Sequence, residues 1–173
     1  MARGTFSHHK LKNLMHTKSG PYTIHRPSGV STTIFEASLR YKEDKVPLVI
    51  IAGSNFGRGS ARDWATKGPY LLGIRAILAQ SFSPAYKHNM IKTGLLPIEI
   101  TEETFKSLTG HEAFEIQLEI DLESKNDVKI VVNEGETVFV AKHCLVNAYE
   151  VNLYKKGGVI CQFLNESLSD FSE

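Results

Sequence analysis

An α/β domain built around a mainly parallel sheet is what this sequence predicts, and three observations predict it. Residues 46–100 alternate strand-like and helix-like patterns in the order strand–helix–strand–helix–strand. The run Val46-Pro-Leu-Val-Ile-Ile-Ala52 is continuously apolar and β-branched, the pattern of a strand covered on both faces in a parallel sheet. Phe114-Glu-Ile-Gln-Leu-Glu-Ile120 alternates strictly instead, as a half-buried strand with one wet face does.

Taken in order, residues 22–26 are extended and Pro27-Ser28-Gly29 turns the chain. Ile34 to Tyr41 has the spacing of a helix, with Ile34, Ala37, Leu39 and Tyr41 as its apolar members. After the strand at 46–52 comes a loop with three glycines, Gly53-Ser-Asn-Phe-Gly57-Arg-Gly59. Ser60 then opens a short helix, with Ala61, Trp64, Ala65 and Gly68 spaced as one packing face, and Gly68-Pro69 ends or bends it. Residues 75–79 form a second buried strand. Ser83-Pro84 supplies a cap and a first-turn proline for a helix running to Thr93, with Gly94 just past its end. Leu95 to Ile100 is the third strand, so residues 46–100 make a βαβαβ unit with right-handed crossovers. Strands at 128–132 and 137–141 flank Asn133-Glu-Gly-Glu136 as a hairpin, and a helix from Asn147 to Lys156 stops at Gly157-Gly158.

The chain's 173 residues suit one domain spanning positions 1–173, long enough to bury a useful core. With a formal net charge of +1, no global field draws it to nucleic acid or an anionic membrane. No apolar run is long enough to span a bilayer, and Met1-Ala2-Arg3-Gly4 begins no apolar signal region. An excised piece of a longer chain is expected. Cys144 and Cys161 form no Cys-x-x-Cys pair, which argues against a disulfide framework or a structural zinc site. They are expected to be buried free thiols in a reducing compartment. An iron–sulfur cluster needs about four thiolates, more than this chain holds.

The loop at 53–64 is the sharpest feature. Ligands in open α/β sheets sit beyond the carboxyl ends of the strands. A helix start offers free N–H groups and partial positive charge, glycines let the backbone approach a ligand, and Arg58 and Arg62 add fixed cations. The stretch therefore suits a carboxylate or phosphate. It fits neither a Walker loop, since no Lys precedes Ser60, nor a dinucleotide fingerprint, since Arg62 stands where a third Gly belongs. Ser60 and Asp63 equally resemble a capping box, which requires no ligand, so cap and anion site both remain open. His8, His9 and His16 are metal-ligand candidates without a recognisable third ligand; solvated histidines explain them as well.

Gly59-Ser-Ala-Arg-Asp-Trp-Ala-Thr-Lys-Gly-Pro-Tyr-Leu-Leu-Gly-Ile-Arg-Ala-Ile-Leu-Ala79 resembles the C-terminal domain of aconitases, in the branch containing aconitase A and iron-regulatory proteins. Arg3-Gly-Thr-Phe6, Thr23 to Gly29 and Asn89 to Pro97 carry the same resemblance. It implies a swivelling β/β/α three-layer domain around the central βαβαβ unit, closing over domains that carry a 4Fe-4S cluster whose ligands lie outside this chain. By that resemblance Ser60 is the catalytic base, while Arg3, Ala61 (through its backbone) and Arg62 contact the carboxylates of citrate or isocitrate. Three positions depart from the family pattern: Ala61 replaces a second Ser, His8 an Asn, and Tyr86-Lys-His-Asn89 a His-Arg-Ser-Asn.

The expected function is thus part of a hydro-lyase, aconitate hydratase, interconverting citrate and isocitrate through cis-aconitate. The related alternative is a separate small subunit of a dehydratase of the methylcitrate, isopropylmalate or homoaconitate type. The isolated domain is expected to be inactive. A rival from another class is binding of an iron-responsive RNA hairpin by the cluster-free full-length protein, with Arg62, Lys87 and Lys92 as contacts. A monomer in the cytoplasm or the mitochondrial matrix is expected, with the cluster-bearing domains and a tricarboxylate as partners and no membrane.

Overall fold

The computed structural model describes residues 1–59, 62–118 and 125–170. Its strands are β1 (Tyr22–His25), β2 (Val30–Thr33), β3 (Leu48–Ala52), β4 (Ile74–Ala79), β5 (Leu96–Glu99), β6 (Phe114–Gln117), β7 (Asp127–Val132) and β8 (Thr137–His143). Its helices are α1 (Ile34–Glu43), α2 (Trp64–Leu71), α3 (Pro84–Thr93), α4 (Glu102–Ser107), α5 (Ala148–Lys155) and α6 (Val159–Asp170). Strands β1 and β2 form a separate antiparallel hairpin, and the others form one mixed sheet in the order β3-β4-β5-β8-β7-β6. The βαβαβ unit is present as expected, with β3, β4 and β5 parallel. The hairpin of β7 and β8 continues the same sheet, joined where β8 runs antiparallel to β5 at Ile98↔His143 and Glu99↔Lys142.

Alternation along β4 sends side chains to both faces of this sheet. Ala76 and Leu78 join Leu96, Ile98, Val128 and Ile130 in one core cluster, completed by Val151 and Leu153 of α5. Ile77 and Ala79 face the other way, onto Phe82, Tyr86 and Met90 at and within α3, with Phe6, Ile34 and Phe35 packed around them. The second cluster matters most for the site, because it ties the amino-terminal segment to α3.

Several expectations need correction. The strand at 46–52 begins at Leu48 and is an edge strand whose residues are all only partly covered, with Val46 exposed. An apolar run reports burial preference, but the sheet order decides which strand has neighbours on both sides. Helix α2 begins at Trp64, with Asp63 in the cap position and no side-chain cap bond, so the helix predicted from Ser60 starts four residues later. Pro69 lies inside α2 rather than ending it. Ser83 does hold the cap position of α3, in extended backbone, but its side chain makes no capping bond. Both cysteines are free, yet neither is fully buried. Strand β6 matches the first part of the predicted strand; Glu119 and Ile120 lie outside the described residues.

The two helices flanking the Gly-rich loop are bonded to each other through threonines. Thr66 Oγ1, fully buried, lies 2.8 Å from Thr93 Oγ1. Each hydroxyl also bonds a backbone carbonyl of its own helix region, Thr66 to Asp63 and Thr93 to Asn89. Two hydroxyl protons can fill two of these three contacts at a time, and the Thr66–Thr93 contact sets the start of α2 against the end of α3. At that end Gly94 takes left-handed backbone, φ 84°, and a Cβ there would stand 2.6 Å from the carbonyl oxygen of Gly157. The glycines that stop α3 and α5 therefore also let the two helix ends touch.

Candidate functional site

The Gly-rich loop leaves the carboxyl end of β3, as the sequence predicts, and is pinned to the turn after β4. Phe56 N donates to Ser81 O at 2.9 Å and Ser83 N donates to Phe56 O at 2.9 Å. Asn55 N donates to Ser81 Oγ at 2.8 Å, and Ser54 Oγ to Gln80 Oε1 at 2.9 Å. Gly57, at φ 80°, passes so close to Tyr86 that a Cβ would meet the ring carbon Cγ at 2.1 Å. Here glycine is demanded twice, by the left-handed backbone and by the contact. The Phe56 and Tyr86 rings meet edge to face, 5.4 Å apart.

The amino-terminal Arg3-Gly-Thr-Phe6 segment lies against the far side of this loop. Thr5 seats on α2 opposite Gly68, where a Cβ would stand 2.5 Å from Thr5 Oγ1. Gly4, Thr5 and Phe6 share the wall of one cavity of about 370 Å³ with Gly57, Arg58 and Trp64. Among the described residues, the buried Thr5 Oγ1 has no hydrogen-bond partner. Two segments more than fifty positions apart thus meet at one concavity beyond the ends of parallel strands, where open α/β sheets place ligands.

The expected site residues divide as follows. Arg58 and Arg62 are exposed at this junction, and the Arg62 carbonyl accepts from Ala65 N at the entry to α2. Arg3 is near but does not line the cavity; its guanidinium lies over the Phe35 ring, 4.7 Å from the centroid. That cation–π contact parks the side chain at the start of α1. Ser60 and Ala61 lie outside the described residues. The Ser60–Asp63 capping box has no helix start to cap; Asp63 bonds Lys67 one turn on, at 2.5 Å. That hydrogen bond, and then the lysine's charge, hold the Asp63 carboxyl below its usual range.

Of the lysines expected to face RNA, Lys87 lies 3.8 Å from Glu99 of β5, whereas Lys92 is exposed. Burial, followed by the Glu99 carboxylate, pushes the nearby Cys144 thiol up to about 12. Sequence reasoning missed Phe56, Thr5 and Tyr86 as cavity walls. Thr5 and Phe56 lie inside segments that the sequence does single out, whereas the pairing of Tyr86 with Gly57 becomes visible only in three dimensions.

The donor set does not fit an iron–sulfur cluster. Two cysteines fall short of about four thiolates. Among the described residues no group of three His, Cys, Asp or Glu side chains could hold a metal ion. No helix among them is long and apolar enough to cross a membrane.

A mixed α/β domain with a cation-rich glycine loop and an amino-terminal arm docked beside it defines a swivel-type domain of the aconitase superfamily. Residues 1–103 match the model of the aconitase C-terminal domain, and the chain belongs to that family. Iron-responsive element-binding protein 2 of Xenopus laevis is 40% identical over 164 residues, covering 92% of this chain and 17% of that protein. Aconitate hydratase A of Deinococcus radiodurans is 40% identical over 176 residues, covering 98% of this chain and 19% of that protein. The chain thus spans less than a fifth of the length of these relatives. The crystal structure of a 3-isopropylmalate dehydratase from Methanocaldococcus jannaschii superposes with a TM-score of 0.53 at 25% identity, over 82% of this chain and 83% of that one.

Proposed function

We propose that this chain serves as the swivelling domain of an aconitate hydratase, interconverting citrate and isocitrate through cis-aconitate. The observation that carries this reading is the meeting of the Arg3–Phe6 segment with the 53–64 loop around one cavity. Ser60, in that loop, takes the substrate proton in dehydration and returns it in rehydration. A serine hydroxyl does this only where donors and cations stabilise its oxyanion. Arg58 and Arg62, both exposed, stand two positions either side of it in the sequence. Arg62 clamps a substrate carboxylate in the two-pronged geometry a guanidinium allows. Arg3 swings from the Phe35 ring to a second carboxylate, and the Ala61 backbone supports the same ligand. The cluster, the hydroxyl's departure and the rest of the substrate cavity belong to other domains of a longer protein, located in the cytosol or the mitochondrial matrix.

The test is Ser60→Ala in the full-length protein. Turnover is expected to fall about 100-fold or more, the size of a general-base contribution, while citrate affinity stays within a few-fold of the parent. Near-normal turnover overturns the base assignment. The chain by itself is expected to show no hydratase activity.

Likeness to an iron-responsive element-binding protein favours a second reading, RNA binding by the cluster-free full-length protein. Arg62 and Lys92 are its candidate contacts, and Lys87 a weaker one because of Glu99. A mobility-shift titration with an iron-responsive hairpin at physiological salt decides it, and the absence of a shifted band removes this reading.

A further inference from the structure

The amino-terminal loop carries a separate charge pattern. Residues 1–35 contain Arg3, Lys10, Lys12, Lys18 and Arg26 and no Asp or Glu, so the remainder of the chain is net acidic. Such segregation marks an anion-facing segment when the chain holds the cations in place.

Here the chain ties down the loop that carries two of them, Lys12 and Lys18. Gly20 N donates to Leu11 O at 2.8 Å, closing residues 11–20 into a loop whose ends touch, the Ω type that is often functional. Asn13 organises the interior. Its Oδ1 accepts from Met15 N at 3.2 Å, its carbonyl accepts from His16 N at 3.0 Å, and its Nδ2 donates to Tyr22 O at 3.1 Å. His16 Nδ1 accepts from Lys18 N at 3.0 Å, which leaves Nε2 as the protonated nitrogen in the neutral ring, donating to Ser31 Oγ at 2.9 Å. The His16 ring also stacks on Tyr22, 5.4 Å between centroids.

The result is a concavity of about 220 Å³ whose polar lining is Lys12, Asn13, His16, Thr17, Lys18 and Ser19, with Leu14 as its apolar member. Among the described residues, the Lys12 and Lys18 ammonium groups and the Thr17 and Ser19 hydroxyls have no protein partner. Lysines elsewhere do pair with carboxylates, as Lys67 with Asp63, Lys106 with Glu102 and Lys156 with Glu166. A pocket with two free ammoniums, two free hydroxyls and no carboxylate suits a compact anion rich in oxygen atoms.

We infer that the 11–20 loop binds a phosphate group, held between Lys12 and Lys18. The site is distinct from the 53–64 cavity, with which it shares no lining residue. The phosphate comes either from a small phosphorylated ligand or from a nucleic-acid backbone. Pyrophosphate and a uridine homopolymer are therefore titrated in parallel into the full chain in 150 mM KCl, by calorimetry and by backbone amide NMR. Saturable one-to-one binding of pyrophosphate, with shifts centred on residues 11–20, supports the small-ligand source. Binding of the homopolymer alone, with the same shifts, supports the backbone source. In either case the double variant Lys12→Glu/Lys18→Glu is expected to bind at least tenfold more weakly and Lys155→Glu, on α5, within twofold of the parent. Lys12→Gln/Lys18→Gln, whose amide spectrum reports an intact fold, guards against a folding defect. No binding of either probe, or equal losses in the double variant and Lys155→Glu, overturns the site.

Discussion

The Tyr86 hydroxyl donates to the carbonyl of Ala65 across the α2–α3 interface, at 3.1 Å. In an unbroken helix that carbonyl would accept from the N–H of residue 69, but residue 69 is proline and has none. Tyr86 thus supplies from α3 the donor that α2 lacks, which is how Pro69 sits inside a helix without breaking it. Tyr86→Phe should destabilise the domain by about 1–2 kcal/mol, because a backbone acceptor loses the hydroxyl that donates to it. In a Pro69→Ala background residue 69 regains its N–H, and the same substitution should cost distinctly less. Urea unfolding of the four proteins measures this coupling; equal losses in both backgrounds would refute it.

Gly68→Ala separates helix propensity from docking. Alanine inside a helix is favoured over glycine by about 1 kcal/mol. Here its Cβ would meet Thr5 Oγ1 at 2.5 Å and Thr5 Cγ2 at 2.9 Å. We expect α2 to persist while residues 1–6 lose their seat, seen as faster amide exchange confined to that segment. Adding Thr5→Ala should restore protection. Unchanged exchange in the single variant would show that Thr5 yields without releasing the arm.

Gly94→Ala should be among the most damaging single-methyl additions. It forces a side chain into left-handed backbone at φ 84° and against the Gly157 carbonyl at 2.6 Å. The backbone term alone is about 1–2 kcal/mol. Gly158→Ala, whose Cβ would stand 2.6 Å from Lys92 O, should behave alike, since both press on one contact. Thermal unfolding compares them with Gly29→Ala, where φ is also positive but nothing lies within 4 Å; similar losses at all three sites would leave no role for the helix-end contact.

Alkaline pH should weaken the fold through two acids that burial largely shields from water, Cys144 and Tyr86. Burial raises the Cys144 thiol from 9.0 to about 12 and the Tyr86 phenol from 10.0 to about 12. A raised pKa means the folded state keeps a proton that the unfolded chain releases. Their contribution is therefore complete below about pH 9 and declines as pH climbs toward 12. Urea midpoints taken from pH 8 to pH 11 should fall, and Cys144→Ala should flatten the part of the slope that begins near pH 9. A slope unaltered by that variant would assign the loss elsewhere.

Much of the fold is legible in local pattern. The three parallel strands, the helix from Pro84 to Thr93, its Gly94 stop and the Asn133–Glu136 hairpin follow from apolar period and turn chemistry, which are properties of neighbouring residues. The Gly-rich loop and its arginines are legible for the same reason. The sequence reading places no helix at α6, although Ile160, Phe163, Leu164 and Leu168 fall at helical spacing; in the fold these four side chains are exposed.

By itself, then, the sequence determined the βαβαβ unit, the cationic loop at 53–64 and the kinship with aconitase C-terminal domains, since all three are written in contiguous residues. Only the tertiary structure decided that β3 is an edge strand, that α2 waits until Trp64, and that Thr5 docks on Gly68 to bring the amino-terminal arm to the loop. It also decided that Arg3 rests on Phe35 instead of lining the cavity, and that Tyr86 completes a helix it does not belong to. Each of these depends on atoms far apart in the chain, whose contact energies no local pattern encodes.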